Sequence, residues 1–195
     1  RRPGLVRPVF PKNCPDCGTL LVKGEDEARY FCPNTKSCPM QVKGRLVHFL
    51  SRKAMNVLAG DATIDKLFSL ELVRVPADFY ALGRNDLLRI DGWKAKSADR
   101  FLASLHASLK VTFDHVLFAL GIRYVGESTA KALAIYFGDI DKIAAADKQA
   151  LLAVPDVGDV IADSILDYFS DPDNRDNIRR LKAAGVKMSM ESRPE

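Results

Sequence analysis

One grammar, written four times between residues 54 and 170, constrains the fold of this chain more than any other feature. Its anchor positions are Gly60, Lys94, Gly126 and Gly158, spaced 34, 32 and 32 residues apart. Ala59, Trp93, Val125 and Val157 precede the anchors, Ile64, Ala98, Ala130 and Ala162 stand four positions after them, and Leu67, Phe101, Leu133 and Ile165 seven after. Upstream, Ile90, Ile122 and Val154 lie four before the anchor and Leu88, Leu120 and Leu152 six before. The first unit fits only with one residue missing from its turn, which puts Val57 and Met55 in those places. A period of about 30–35 residues marks one supersecondary unit used in series. Each unit reads as helix, tight turn, helix.

The turn must reverse the chain in about four residues, and glycine at the anchor or two before it (Gly60, Gly92, Gly126, Gly158) opens dihedrals closed to other residues. Ala98, Ala130 and Ala162 are small enough to let paired helices cross closely. Ser97, Ser128 and Thr129 fall in the first turn of the second helix, where short hydroxyl side chains are useful. A helix opening at an exposed glycine turn presents unpaired N–H groups and the positive end of its dipole. Phosphate is the natural anion for such a place. Contact of this kind reads backbone charge and not base identity. For a single hairpin, glycines that merely make turns explain as much; four in series beside a basic module favour the anion reading.

That basic module precedes the repeat. The cysteines fall as Cys14-Pro-Asp-Cys17 and Cys32-Pro-Asn-Thr-Lys-Ser-Cys38, with fourteen residues between the pairs. Two short knuckles of this type bring four thiolates to one tetrahedral ion. Gly18, just after the second thiol, suits the sharp turn. Leu20–Val22 and Ala28–Phe31 read as two short strands around the turn Gly24–Glu27. A module so poor in large apolar residues needs a staple, and in a reducing compartment two disulfides would not serve. Structural zinc on Cys14, Cys17, Cys32 and Cys38 is the expectation; four thiolates leave no open position, so the ion is not catalytic.

Charge follows the same division. Residues 1–53 hold 11 Lys/Arg against 4 Asp/Glu, and residues 54–195 hold 18 against 21. An asymmetry of that kind points to a polyanionic partner, although solvated lysines and arginines are common on any surface. Residues 41–58 read as a helix with Val42, Leu46, Phe49, Leu50 and Ala54 on one face and Lys43, Arg45, Arg52 and Lys53 on another. Asp171-Pro-Asp-Asn reads as a break, 177–184 as a last helix capped by Gly185, and Met188–Glu195 as patternless tail. No apolar run approaches the roughly 18 residues that span a bilayer. The opening Arg1-Arg2-Pro3-Gly4 has no apolar segment behind it, so the expectation is a cytoplasmic piece of a longer protein.

The repeat is identified as the helix-hairpin-helix motif. The spacing C-x2-C-x14-C-x5-C followed by four hairpins resembles the C-terminal half of bacterial NAD-dependent DNA ligases, as do the phrases Cys14-Pro-Asp-Cys-Gly18, His48–Asn56, Lys96-Ser-Ala98 and Ala119–Glu127. The likeness runs over residues 8–188. It implies a mainly α fold: a four-cysteine zinc module with a little β structure at 14–40, then a helix-hairpin-helix domain of four repeats at 41–188. Residues 1–13 would link to an upstream oligonucleotide-binding barrel and 189–195 would lead towards a BRCT domain.

In that family an adenylation lysine takes AMP from NAD, passes it to the 5′-phosphate of a nick, and the 3′-hydroxyl then seals the strand during replication and repair. NAD and magnesium or manganese would bind outside this segment. The Lys-x-Asp-Gly nucleophile motif is missing, and Arg89-Ile-Asp-Gly92 is a decoy in the second hairpin, so no catalytic residue is expected here. The resemblance implies a monomer that grips nicked duplex DNA and no membrane. Its expected contacts are Gly60 in the first hairpin and Gly92, Lys94, Lys96 and Ser97 in the second. Arg123, Gly126, Glu127, Ser128, Thr129 and Lys131 follow in the third and Gly158 in the fourth.

Three departures from the family pattern bear on those contacts. Leu58-Ala-Gly60 keeps one glycine of a usual Gly-x-Gly, Lys94 replaces a second glycine, and Asp156 works against a phosphate unless it faces away. The alternatives are a hairpin module of a structure-selective nuclease or repair factor, and a helical scaffold with no nucleic-acid role. Salt-insensitive partner binding without DNA affinity marks the scaffold, and a Lys-x-Asp-Gly motif upstream marks the ligase.

Overall fold

The turns of the repeat, more than its helices, explain the architecture. The computed structural model describes residues 9–25 and 27–190 and divides the chain into two compact units, Arg1–Gly44 and Arg45–Glu195. The linker expected at 1–13 lies mostly outside the described residues, as does the end of the tail at 191–195.

In the first unit β1 (Val22–Lys23) pairs antiparallel with β2 (Tyr30–Phe31), Val22 opposite Phe31 and Lys23 opposite Tyr30. These strands are shorter than expected, because Leu20 leaves the ladder to make a lone bridge with Asn13. Leu20 and Tyr30 are exposed, and the buried centre consists of Cys14, Cys32 and Cys38 with Cys17 and Leu21 against them. A unit whose core is its own thiols has almost no apolar burial to stabilise it.

Helix α1 (Pro39–Leu50) is shorter than the helix expected to residue 58. The amides of Met55 and Val57 turn back to the carbonyls of Phe49 and Leu50, and Asn56 is left-handed at φ 53. Ala54, Met55 and Val57 are buried from this turn rather than from a helix face. The first repeat unit therefore enters its anchor through a hydrogen-bonded turn, and only α2 (Asp61–Ser69) is helical in it.

The other three units are full hairpins. α3 (Arg84–Leu87) packs on α4 (Ala95–Ser108), α5 (Phe113–Ala119) on α6 (Glu127–Phe137), and α8 (Lys148–Leu152) on α9 (Asp159–Ser170). α7 (Ile140–Ala145) packs on α6, and α10 (Pro172–Ala184) on α9 and on the 3-10 turn Pro76–Ala81. Ala98, Ala130 and Ala162 are wholly buried where the helices cross, as the small-residue pattern requires, and Leu67, Phe101, Leu133 and Ile165 form the layer beneath. Leu88 and Leu152 break the pattern: they are partly exposed, while the equivalent Leu120 is buried.

Two elements differ from expectation near the C-terminus. Asp171-Pro-Asp-Asn starts α10 instead of breaking the chain: the Asp171 side chain accepts from the Asp173 amide, and Pro172 sits at the first helical position, where its missing N–H costs nothing. The tail is not patternless either. Ile140 donates to Met188, Met190 donates to Gly138, and Met188 is buried. Gly185 caps α10 in the left-handed conformation at φ 99, as read from the sequence.

Buried polar groups are paired. Asn177 Oδ1 accepts from the Ala77 amide at 2.9 Å, and Ser108 meets Tyr80 Oη at 2.7 Å. Burial opposes the charge of Asp78, but the Arg74 and Val75 amides and the Arg180 guanidinium, at 2.6 Å, hold its carboxyl below the usual range.

Candidate metal centre and candidate nucleic-acid interface

Two backbone knuckles aim the thiols of the first unit inward. Gly18 is left-handed at φ 75, its amide bonds the Cys14 carbonyl at 2.8 Å, and Asn13 Nδ2 closes the loop on the Gly18 carbonyl. Cys38 sits just before α1, where its sulfur faces the amides of Gln41 and Met40. The four sulfurs lie within 4.8 Å of one another, with Cys17–Cys32 at 3.5 Å and Cys14–Cys38 at 3.9 Å. Those gaps are far beyond a disulfide of about 2.05 Å. They match the edge of a tetrahedron whose centre is about 2.3 Å from each sulfur, roughly 3.8 Å.

The protonation of the thiols fits the same purpose. The Thr19 hydroxyl and amide draw Cys17 down to about 6. Burial pushes Cys32 up to about 12. On Cys38 the Gln41 amide pulls down, but burial and the neighbouring thiols prevail and leave it raised. One thiol is poised as thiolate; Cys32 and Cys38 need a cation to lose their protons.

In the second unit the four anchors share one geometry. Gly60, Lys94, Gly126 and Gly158 are the N-caps of α2, α4, α6 and α9, extended, and none has a side-chain cap. The anchor glycines therefore do not supply unusual dihedrals, contrary to the expectation from sequence. Left-handed backbone lies two positions earlier, at Gly92 (φ 80), Tyr124 (φ 67) and Asp156 (φ 67), in turns closed by Trp93, Val125 and Val157 donating to Ile90, Ile122 and Val154. A Cβ added at Gly60, Gly126 or Gly158 would meet nothing within 4 Å. What glycine leaves at the anchor is an open approach to the first amides of the helix.

Of the expected contact residues, Gly60, Gly92, Lys94, Lys96, Ser97, Arg123, Gly126, Glu127, Ser128, Lys131 and Gly158 are exposed. Thr129 is the exception: it is buried. Acids follow three anchors directly, Asp61, Glu127 and Asp159. Lys53 lies 3.5 Å from Glu127, and Lys148 bridges Asp159 and Asp163 at 3.2 and 3.0 Å. The second hairpin has no acid in that first turn. Lys94, Lys96 and Arg100 stand around it, and its Asp99 is held by Arg84 at 3.1 Å. There Leu58, Trp93, Lys96, Ser97, Arg100 and Phe101 line an open groove of about 340 Å³.

The third hairpin is braced from a distance. His48 Nε2 donates to the Phe118 carbonyl at 2.8 Å and His115 Nδ1 to the Lys53 carbonyl at 3.0 Å, fixing the segment that carries Lys53 beside Glu127. No local signal in the sequence marks Lys53 or Lys148 as partners of those acids, because each pair joins distant elements.

Residues 13–39 match the family model of the NAD-dependent DNA ligase C4 zinc finger domain, and residues 115–178 that of the helix-hairpin-helix motif. A DNA ligase of Parabacteroides distasonis is 46% identical over 181 residues, 93% of this chain and 27% of the relative. The chain is homologous to a segment of DNA ligases. A DNA ligase of Porphyromonas gingivalis is 44% identical over 184 residues, covering 94% of this chain and 28% of the relative. One of Pelodictyon phaeoclathratiforme is 40% identical over 190 residues, 96% and 28% of the two chains. The chain thus spans about a quarter of the length of these curated relatives. The fold of this chain is mainly α: a cysteine-clustered module with a two-stranded sheet, then the helical repeat. No described helix is long and apolar enough to cross a membrane.

Proposed function

We propose that this segment is the DNA-holding part of an NAD-dependent DNA ligase, gripping the phosphates of nicked duplex without regard to sequence. The observation that carries the reading is the set of four uncapped helix N-termini at exposed anchors, in a chain homologous to DNA ligases. Amides and a helix dipole left open in this way bind phosphate oxygens. The second hairpin adds Lys94, Lys96 and Arg100, and the third adds Arg123 and Lys131. The nucleophilic lysine, NAD and the divalent metal belong to other parts of the ligase, which works in the cytoplasm as a monomer. The domain limits follow the same reading: module at 14–40, hairpins at 41–188.

Anisotropy titration of a labelled nicked duplex tests this. Binding is expected, with log K falling steeply as log salt rises and no preference among sequences; the chain alone seals no nick. Absence of affinity, or affinity indifferent to salt, refutes the DNA reading and leaves the protein scaffold.

The metal of the same reading is one zinc on Cys14, Cys17, Cys32 and Cys38, supported by their spacing and by the zinc-finger match. Zinc is to be found at one per chain by elemental analysis, and a chelator is to unfold the module while leaving the helical repeat. Cys32 and Cys38 have raised pKa values, so binding must expel their protons, and affinity falls as pH falls. A zinc affinity flat across the acidic to neutral range contradicts thiolate ligation.

A further inference from the structure

The tip of the third hairpin carries a residue type that its counterparts do not. Two positions before the anchor, hairpins two to four place Gly92, Tyr124 and Asp156 in the left-handed region, at φ 80, 67 and 67. Glycine enters that region freely and aspartate tolerates it, but a bulky aromatic there is strained. Such strain survives only where the surroundings impose it, and it gathers at binding sites. Here the imposing contacts are on the backbone: Val125 donates to the Ile122 carbonyl, and the Ser164 hydroxyl donates to the Arg123 carbonyl at 2.6 Å.

Tyr124 is 45% exposed, so burial offsets only part of that strain. Its face is met by the Arg123 guanidinium, 4.8 Å from the ring centroid, and Arg123 is itself exposed. The uncapped start of α6 at Gly126 lies two residues on. An outward aromatic, a cation stacked on it and an open set of helix amides thus share one tip.

We propose that Tyr124, with Arg123 stacked on its ring, is a DNA-contacting side chain that enters the minor groove beside the phosphate held at Gly126. This rests on the DNA-binding reading above and deepens it. The apolar ring suits deoxyribose, and the phenol hydroxyl can donate to the acceptors that adenine and thymine present there. The Arg123 charge suits the negative potential of the groove. A·T and T·A present nearly the same acceptors, and G·C has acceptors there too beside the guanine amino group, so the contact reads sequence at most as A·T against G·C.

The test uses the 195-residue chain, a fluorescein-labelled nicked duplex and three variants. Tyr124→Gly accepts the left-handed backbone without strain, so thermal stability is unchanged or raised while affinity falls about tenfold, the scale of burying one aromatic side chain. Tyr124→Phe retains most of the affinity. Should Tyr124→Gly fold poorly, Tyr124→Asn, also tolerant of positive φ, reads the same contact. Equal affinity of Tyr124→Gly or Tyr124→Asn and the unsubstituted chain overturns the proposal, and a fall in stability with affinity intact assigns the ring to packing instead. Failure of the unsubstituted chain to bind sinks the DNA reading itself and this inference with it.

Discussion

Most helices of the second unit begin in one of two ways. α7, α8 and α10 follow Asp139, Asp147 and Asp171, whose carboxylates accept from amides of the first turn. α2, α4, α6 and α9 follow Gly60, Lys94, Gly126 and Gly158, with no side-chain cap. An aspartate cap in place of alanine stabilises a helix by about 1 kcal/mol. The chain uses that device at α7, α8 and α10 and forgoes it at every repeat anchor. α3 and α5 are uncapped too: Gly83 is extended like the anchors, but its own amide donates to Asp86 at 2.8 Å, and the Thr112 hydroxyl is turned onto Asp114 at 2.6 Å. Under the DNA-holding proposal, the open anchors are where phosphate would sit.

Giving an anchor the other kind of start should have the largest effect. Gly126→Asp has room, since a Cβ there meets nothing within 4 Å, and its carboxylate would occupy the amides of α6. Stability is to hold or rise by a few tenths of a kcal/mol, while affinity for nicked duplex falls more than tenfold in anisotropy titrations. The converse change, Asp171→Ala, removes a true cap: chemical denaturation should show a loss of about 1 kcal/mol with DNA affinity untouched. A smaller effect concerns the electrostatics of the third anchor. Lys53→Gln leaves Glu127 without its 3.5 Å partner there, and affinity should fall two- to threefold at low salt, the scale of an exposed ion pair. Equal affinity at low salt would place Glu127 away from the bound phosphate.

The two kinds of helix start are only half legible in the sequence. The four anchors, their spacing and the buried Ala98, Ala130 and Ala162 follow from a periodic pattern that local packing imposes. The reason for the anchor glycines does not. Their extended backbone is open to any residue, and the left-handed positions two before them include Tyr124, which no propensity favours there. Thr129 departs from expectation for a related reason: position in the first turn does not say which side of the helix meets its neighbours.

Long-range contacts account for the other differences. α1 stops at Leu50 because Met55 and Val57 turn back on it, although Ala54 keeps the helical spacing. Met188 looks like tail until it docks on the α6–α7 connection. The cysteines need no such context: short knuckles restrict where four sulfurs can go, and their spacing alone is enough to anticipate convergence.

Whether the anchors are the places that hold phosphate can be read from amide chemical shifts during a titration with nicked duplex. The largest shifts are expected on first-turn amides after the anchors, at residues 61–63, 95–97, 127–129 and 159–161, with those of Asp141, Ala150 and Asp173 still. Shifts centred on the aspartate-capped helices, or spread without regard to the anchors, would contradict it.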